Sequence, residues 1–194
     1  MLPTLGRAEP FMRIFPMTSR AFALLALFAW GFATQSASAE SCASLREQHG
    51  ADYVSVHCGG APSASFDAQG RLWVAFVQNK HVYVSHSDDK GASYSTPVQV
   101  NKEAEDTEFN GENRPKIIVA PQGEVMLSWT TKTSSNFTGL IRFSRSIDGG
   151  KTFQVPRTGN DDGLNPGHRF DSLFLPASGN LSLTCTGNSD MEAD

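Results

Sequence analysis

Three glycines set the frame for this chain. Gly70, Gly123 and Gly179 each close a turn, Asp-Ala-Gln-Gly (67–70), Ala-Pro-Gln-Gly (120–123) and Pro-Ala-Ser-Gly (176–179), and they stand 53 and 56 residues apart. A short β-rich run precedes each turn and an alternating run follows it, the pattern of two strands joined by a tight connection. A repeat of this period filled by strands implies a row of similar sheets, each burying a face on its neighbour. Laid on their glycines, the runs 71–76, 124–129 and 180–185 carry Leu/Val/Leu, Val/Leu/Leu and Phe/Trp/Cys at the second, fourth and sixth positions. Alternate side chains of a strand share a face, so each copy is expected to present one apolar face. Cys185 stands where its counterparts are large aromatics, which predicts a buried, inert thiol.

A third strand follows in two copies. The runs 81–86 (HVYVSH) and 140–145 (LIRFSR) both place apolar residues second and fourth and both lead straight into a serine. The connection before the second of them, 130–139 (TTKTSSNFTG), is six residues longer, which a loop accommodates without disturbing strand register. After the serine comes the most specific motif of the chain. Ser87, Asp89, Gly91 and Tyr94 recur as Ser146, Asp148, Gly150 and Phe153, with Ser93 matched by Thr152, at a separation of 59 residues. That separation is the 53-residue period plus the six-residue insertion. In a tight turn between two strands the Asp carboxylate accepts from turn N–H groups, the Gly takes a backbone shape costly for other residues, and the aromatic tucks into the sheet. Turn chemistry accounts for each residue, so the motif is read as structural and not catalytic.

The motif Ser-x-Asp-x-Gly-x-[Ser/Thr]-aromatic is the Asp-box, and the chain resembles the bacterial sialidase and BNR-repeat family. The resemblance implies an all-β, sialidase-like β-propeller of four-stranded antiparallel blades. It covers about two and a half blades, at roughly 61–101, 113–157 and 168–194, after a lead-in at 40–60. Family propellers have six blades, so the chain resembles the N-terminal part of one. An open arc leaves sheet edges uncovered, which predicts either a truncated form of a longer protein or self-association through exposed blade edges.

The first 39 residues are read as a signal peptide. Arg7, Arg13 and Arg20 precede the apolar run 21–33, and Ala37-Ser38-Ala39 supplies a small-residue cleavage site. The 13-residue run is shorter than the roughly 20 residues a membrane-crossing helix needs. The expected mature chain begins at Glu40, is secreted or periplasmic and has no membrane span. Residues 40–194 carry 13 Lys and Arg against 19 Asp and Glu, a net of −6, which disfavours nucleic acid as a partner. In an oxidising compartment Cys42 and Cys58, 16 positions apart, can close a loop worth about 3 kcal/mol, leaving Cys185 free. Metal-site spacing is absent, and neither a metal nor another cofactor is expected. His57 and His168 are read as structural or exposed, and the 160–163 loop (NDDG) as a solvated turn.

Sialidases, by the same resemblance, bind a carboxylated sugar with three arginines and use an Asp acid/base with a Tyr nucleophile helped by a Glu. A guanidinium fork pairs two ways with a carboxylate. Two arginines stand where innermost strands begin: Arg114, in Arg-Pro-Lys-Ile rather than the family's Arg-Ile-Pro, and Arg169. They fall nine and ten positions before their glycines, so on regular strand they would face opposite ways. Blade one has Ala61 at the matching place. Asp171 is a candidate acid/base and Glu112 a candidate helper, the latter in an acidic linker (102–112) whose default reading is a solvated face. Tyr53, Tyr83 and Tyr94 match no nucleophile. Two functions stay open: a sialidase-type exo-glycosidase acting on an anionic glycan in its complete form, or a non-catalytic propeller that binds a glycan or protein. A truncated, inactive fragment is a third outcome.

Overall fold

A turn of the same construction joins the first two strands of both complete sheets. The N–H of Gly70 donates to the carbonyl of Asp67 (3.0 Å) and that of Gly123 to Ala120 (2.8 Å). The returning bonds run from Asp67 N–H to Arg71 and from Ala120 N–H to Glu124. Both glycines have positive φ, 81° and 92°, a conformation in which a side chain would be strained. The structure, a computed structural model, describes residues 40–133, 139–159, 167–176 and 181–186. The proposed signal segment, residues 134–138 of the 130–139 connection, the 160–163 loop, the Gly179 turn and residues 187–194 lie outside them.

Helix α1 (Cys42–His49) is followed by β1 (Gly60–Phe66), β2 (Leu72–Gln78), β3 (His81–Ser87) and β4 (Val98–Gln99). Then come β5 (Lys116–Val119), β6 (Val125–Lys132), β7 (Gly139–Ser146) and β8 (Arg157–Thr158), and finally β9 (Arg169–Phe174) and β10 (Ser182–Thr186). They form two four-stranded antiparallel sheets, β1-β2-β3-β4 and β5-β6-β7-β8, and a two-stranded sheet of β9 and β10. Counted from the turn glycines the register repeats: Ser65 pairs with Trp73, Ile118 with Met126 and Phe174 with Ser182. The fold is all-β apart from α1, a partial β-propeller of two blades and the first two strands of a third.

The expectation of one apolar face per blade is too modest. In blade one, Leu72, Val74 and Phe76 form one packed face with Tyr83, Val54, Val56 and Tyr94. The other face, Trp73, Ala75 and Val77, packs on Val125, Leu127 and Trp129 of blade two. A blade between two neighbours must bury both faces of its second strand, and here the 40–60 lead-in does for blade one what a preceding blade would do. The lead-in is held by the Cys42–Cys58 disulfide and by the Gln78 side chain, which donates to Tyr53 C=O (2.8 Å) and accepts from Ser55 N–H (3.3 Å). Its helix starts at Ser41, whose hydroxyl accepts from Ser44 N–H, and stops at Gly50.

The acidic linker is a solvated face only in part: Glu103, Asp106 and Glu112 are exposed, but Glu105 and Glu108 turn inward. Glu105 accepts from Trp129 Nε1 (2.9 Å) and Thr131 Oγ1 (2.6 Å) and pairs with Arg142 (3.2 Å). Glu108 is buried. The backbone around both pairs with the end of β6, Thr107 opposite Thr131, so the linker prolongs the inner edge of blade two. Cys185 is half-buried and not buried, with its Sγ 3.4 Å from His168 Nδ1. His168 itself is buried.

The two Ser-x-Asp-x-Gly turns share one bonding scheme. Asp89 Oδ1 accepts from Ser87 Oγ (2.7 Å) and Ser93 N–H (2.8 Å), and Asp148 Oδ1 from Ser146 Oγ (2.6 Å) and Thr152 N–H (2.9 Å). The serine hydroxyls accept in turn from Gly91 N–H (2.7 Å) and Gly150 N–H (2.8 Å). Gly150 has φ 79°, and a Cβ placed there would lie 2.6 Å from the Trp73 ring of blade one. Gly150→Ala is therefore expected to combine backbone strain with overpacking and to cost about 2 kcal/mol or more. Urea denaturation checks this; an unchanged midpoint would show that the turn does not seat on Trp73.

Candidate functional site

Inner strands β1, β5 and β9 meet at an open cleft of about 430 Å³, whose walls include Ser63, Arg114, Lys116, Ile118, Ser172 and Leu173. How these strands begin decides which groups reach it. In β1, Gly60 pairs with Val77 and the next pair is Ser63 with Ala75; in β9, Arg169 pairs with Thr186 and the next is Ser172 with Thr184. Two residues thus oppose one at the same place in both blades, a bulge with positive φ at Ala61 (46°) and Phe170 (55°). Blade two carries a longer excursion there. Glu108 N–H bonds Thr130 C=O (2.8 Å), the ladder resumes with Lys116 opposite Ser128, and residues 109–115 loop out between them.

This geometry corrects the argument from strand alternation. Arg114 lies on the excursion and Arg169 beside a bulge, so a one-residue offset says nothing about opposite faces. Arg114 is exposed at the cleft wall. Arg169 does not line the cleft. Its Nε donates to Glu108 Oε2 (3.0 Å), its Nη2 to Glu108 Oε1, and its Cζ lies 5.4 Å from the Phe170 ring centroid. The side chains of this pair are 17% and 11% exposed, so Arg169 joins blade three to blade two as a mostly buried ion pair.

Lys116 was missed by the sequence reading. Its Nζ donates to the carbonyls of Glu112 (2.6 Å) and Arg114 (3.0 Å), which ties the excursion to the strand. Ser63 Oγ donates to Pro115 C=O and ties it to β1. Burial lowers the Lys116 pKa, with the positive charge of Arg114 acting the same way and Asp171 and Glu112 opposing. Glu112 is exposed on this loop.

Asp171 is buried, with its Oδ2 accepting from Ser128 Oγ of the adjacent blade. Burial raises its pKa, although the Ser128 bond and the Lys116 charge favour the anion. Its side chain stands behind the cleft wall and not in it. The turn carboxylates are the opposite case: hydrogen bonds from the Ser93 side chain and backbone and from Ser87 lower the Asp89 pKa to about 2, and bonds from Ser146 and Thr152 lower that of Asp148 further. Both turns lie away from the cleft walls.

No family model matches the chain, and no curated protein matches it. Among solved structures it is similar to an α-L-arabinofuranosidase from Fusarium graminearum bound to an iminosugar inhibitor, with 16% identity and a TM-score of 0.48, covering 70% of this chain and 42% of that one. It is similar to an endo-arabinase from Bacteroides thetaiotaomicron, with 14% identity and a TM-score of 0.45, covering 68% and 52%. It is also similar to a Hadza microbial sialidase, with 18% identity and a TM-score of 0.40, covering 69% and 36%. The chain spans about half or less of each of these structures.

The raised pKa of Asp171 fixes the sign of a stability effect. Below the ordinary aspartate pKa of 3.8 the carboxyl is neutral in both folded and unfolded chains, and the penalty for burying its charge is absent. The penalty grows as pH rises through the folded value. Asp171→Asn, which keeps an acceptor for Ser128, is therefore expected to raise the urea midpoint at pH 7, with the gain shrinking toward pH 4. A lower midpoint at pH 7 would show that the Lys116 charge outweighs burial.

Proposed function

We propose that this chain is the leading arc of an exported β-propeller that binds an anionic saccharide at the convergence of its inner strands. The observation that carries the proposal is the cleft wall itself: Arg114 exposed beside half-buried Lys116, with the hydroxyl-bearing Ser63 and Ser172 on the strands either side. A guanidinium fork suits a sugar carboxylate, the ammonium adds charge, and serine hydroxyls suit the polar edge of a sugar ring. The surrounding chain is net acidic, so attraction for anions depends on local groups such as Arg114 and Lys116.

In its complete form the propeller is proposed to be glycoside-hydrolase-like and of sialidase type. Asp171, buried on Ser128 and absent from the cleft wall, does not reach a ligand there, so the proton donor of the complete form is proposed to come from another blade. Two observations favour binding over turnover for the arc by itself. Arg169 is committed to Glu108. Tyr83 packs inside blade one with Tyr94 against the lead-in, Tyr53 stands in the lead-in, and none of the three lines the cleft. The signal-like N-terminus supports export to the periplasm or the medium.

Arg114→Ala is expected to weaken binding of N-acetylneuraminate or glucuronate about tenfold or more, the worth of a charge-assisted hydrogen bond, without lowering stability. The 194-residue chain is expected to show no turnover of a fluorogenic sialoside above background. Calorimetric titration and a fluorescence assay check both. Robust turnover abolished by Arg114→Ala would overturn the binding-only reading of the arc, and unchanged affinity would overturn the cleft.

A further inference from the structure

Two phenylalanines occupy equivalent places at the start of neighbouring inner strands. Glu108 and Arg169, each set opposite the residue seventh after its turn glycine (Thr130 and Thr186), are joined by the buried ion pair, and Phe109 and Phe170 follow them directly. Both rings face solvent, 57% and 44% exposed. A scattered exposed apolar residue needs no explanation, but Phe170 is also strained: its φ is 55°, a region that a bulky aromatic residue avoids. The surroundings hold it there. Asn113 Oδ1 accepts from Phe170 N–H (3.1 Å), and the Arg169 guanidinium lies over one side of the ring. The equivalent bulge gives Ala61 a positive φ as well, so the strain belongs to the bulge, and what sets this place apart is that it holds an exposed aromatic ring in a fixed position.

The placement of the second ring agrees. A Cβ on Gly60 would lie 3.3 Å from Phe109 Cδ2, so this ring rests on the start of β1, close before the cleft residues Pro62 and Ser63. Neither ring is itself a cleft wall; Phe109 rests on Gly60, two residues before Pro62, and Phe170 stands two residues before Ser172, so both lie at the starts of strands that line the cleft.

We propose that Phe109 and Phe170 form an aromatic subsite that stacks on the apolar face of a pyranose ring whose carboxylate is held by Arg114 and Lys116. This rests on the anionic-saccharide reading of the cleft and adds the requirement that the acid be a ring. The C–H face of a pyranose is apolar and weakly positive at its edge, and it suits the negative face of a phenyl ring. Charge alone would accept any sugar acid; the ring pair would select cyclic ones.

Glucuronate, a pyranose acid, and gluconate, its open-chain counterpart, separate the two contributions. The wild-type chain is expected to bind glucuronate more tightly than gluconate. Phe170→Ala should weaken glucuronate roughly tenfold, the worth of an aromatic contact, and change gluconate less than about twofold, with Phe170→Trp restoring the preference. Thermal melts of each variant report folding. Equal weakening of both ligands, or no weakening of either in a folded Phe170→Ala chain, overturns the aromatic subsite while leaving the cationic cleft in place. Loss of both ligands in Arg114→Ala supports the cleft; an Arg114→Ala chain that still prefers glucuronate through Phe170 overturns the carboxylate reading and keeps the stacking one. A wild-type chain that binds neither acid overturns both.

Discussion

Trp73 is the contact on which the arrangement of the blades depends. Its indole N–H donates to Asp67 Oδ2 (3.0 Å) in the first turn of blade one, and its ring packs on Val125 and against Gly150 of blade two. One side chain thus fixes a turn, a strand and the neighbouring blade's Ser-x-Asp-x-Gly turn with respect to one another. Apolar burial drives such a contact, but the hydrogen bond and the bare glycine make it specific to one seating. The requirement extends outward in both directions. Blade one buries its opposite face under Val54, Val56 and Tyr94, and Ser128 on the far face of blade two reaches Asp171 of blade three.

With the middle strands fixed by packing on both faces, variation falls on the inner strands, where one side faces open space. There the ladder breaks at the same point in all three blades, by a bulge at Ala61, an excursion at 109–115 and a bulge at Phe170. These irregularities bring Arg114 and Lys116 to the cleft and turn the Phe109 and Phe170 rings toward solvent. They also have a cost, seen in the positive φ of Ala61 and Phe170 and in the buried carboxyl of Asp171. The Glu108–Arg169 pair spans blades two and three beside the Phe170 bulge, which places a charge pair in the role that apolar packing plays further out.

Regular parts of this fold were legible because local chemistry repeats in them. Gly70 and Gly123 announce turns, alternation announces β2 and β6, and the spacing of Ser, Asp, Gly and aromatic announces a bonded turn whose partners lie within four residues. The irregular parts were not. A bulge at Ala61 or Phe170 carries no glycine to mark a positive φ. The partner of Arg169 is 61 residues away in sequence, and the fate of the acidic linker depended on Arg142, Trp129 and Arg169 meeting it after the blades had packed. Helix α1 is a short capped segment with little apolar periodicity, and it left no clear mark either. For the site, Arg114 and Asp171 could be named from their residue types, but Lys116, Ser128 and the two exposed rings needed the register.

The central claim is that ligand meets this chain where the inner strands converge. A titration of the isotopically labelled chain with glucuronate, followed by amide chemical shifts, addresses it directly. The largest, saturable shifts are expected at 63–64, 114, 116–118 and 172–173, in three segments that are far apart in sequence. Saturable shifts centred instead on the turns at Asp89 and Asp148, with those three segments unmoved, would contradict it.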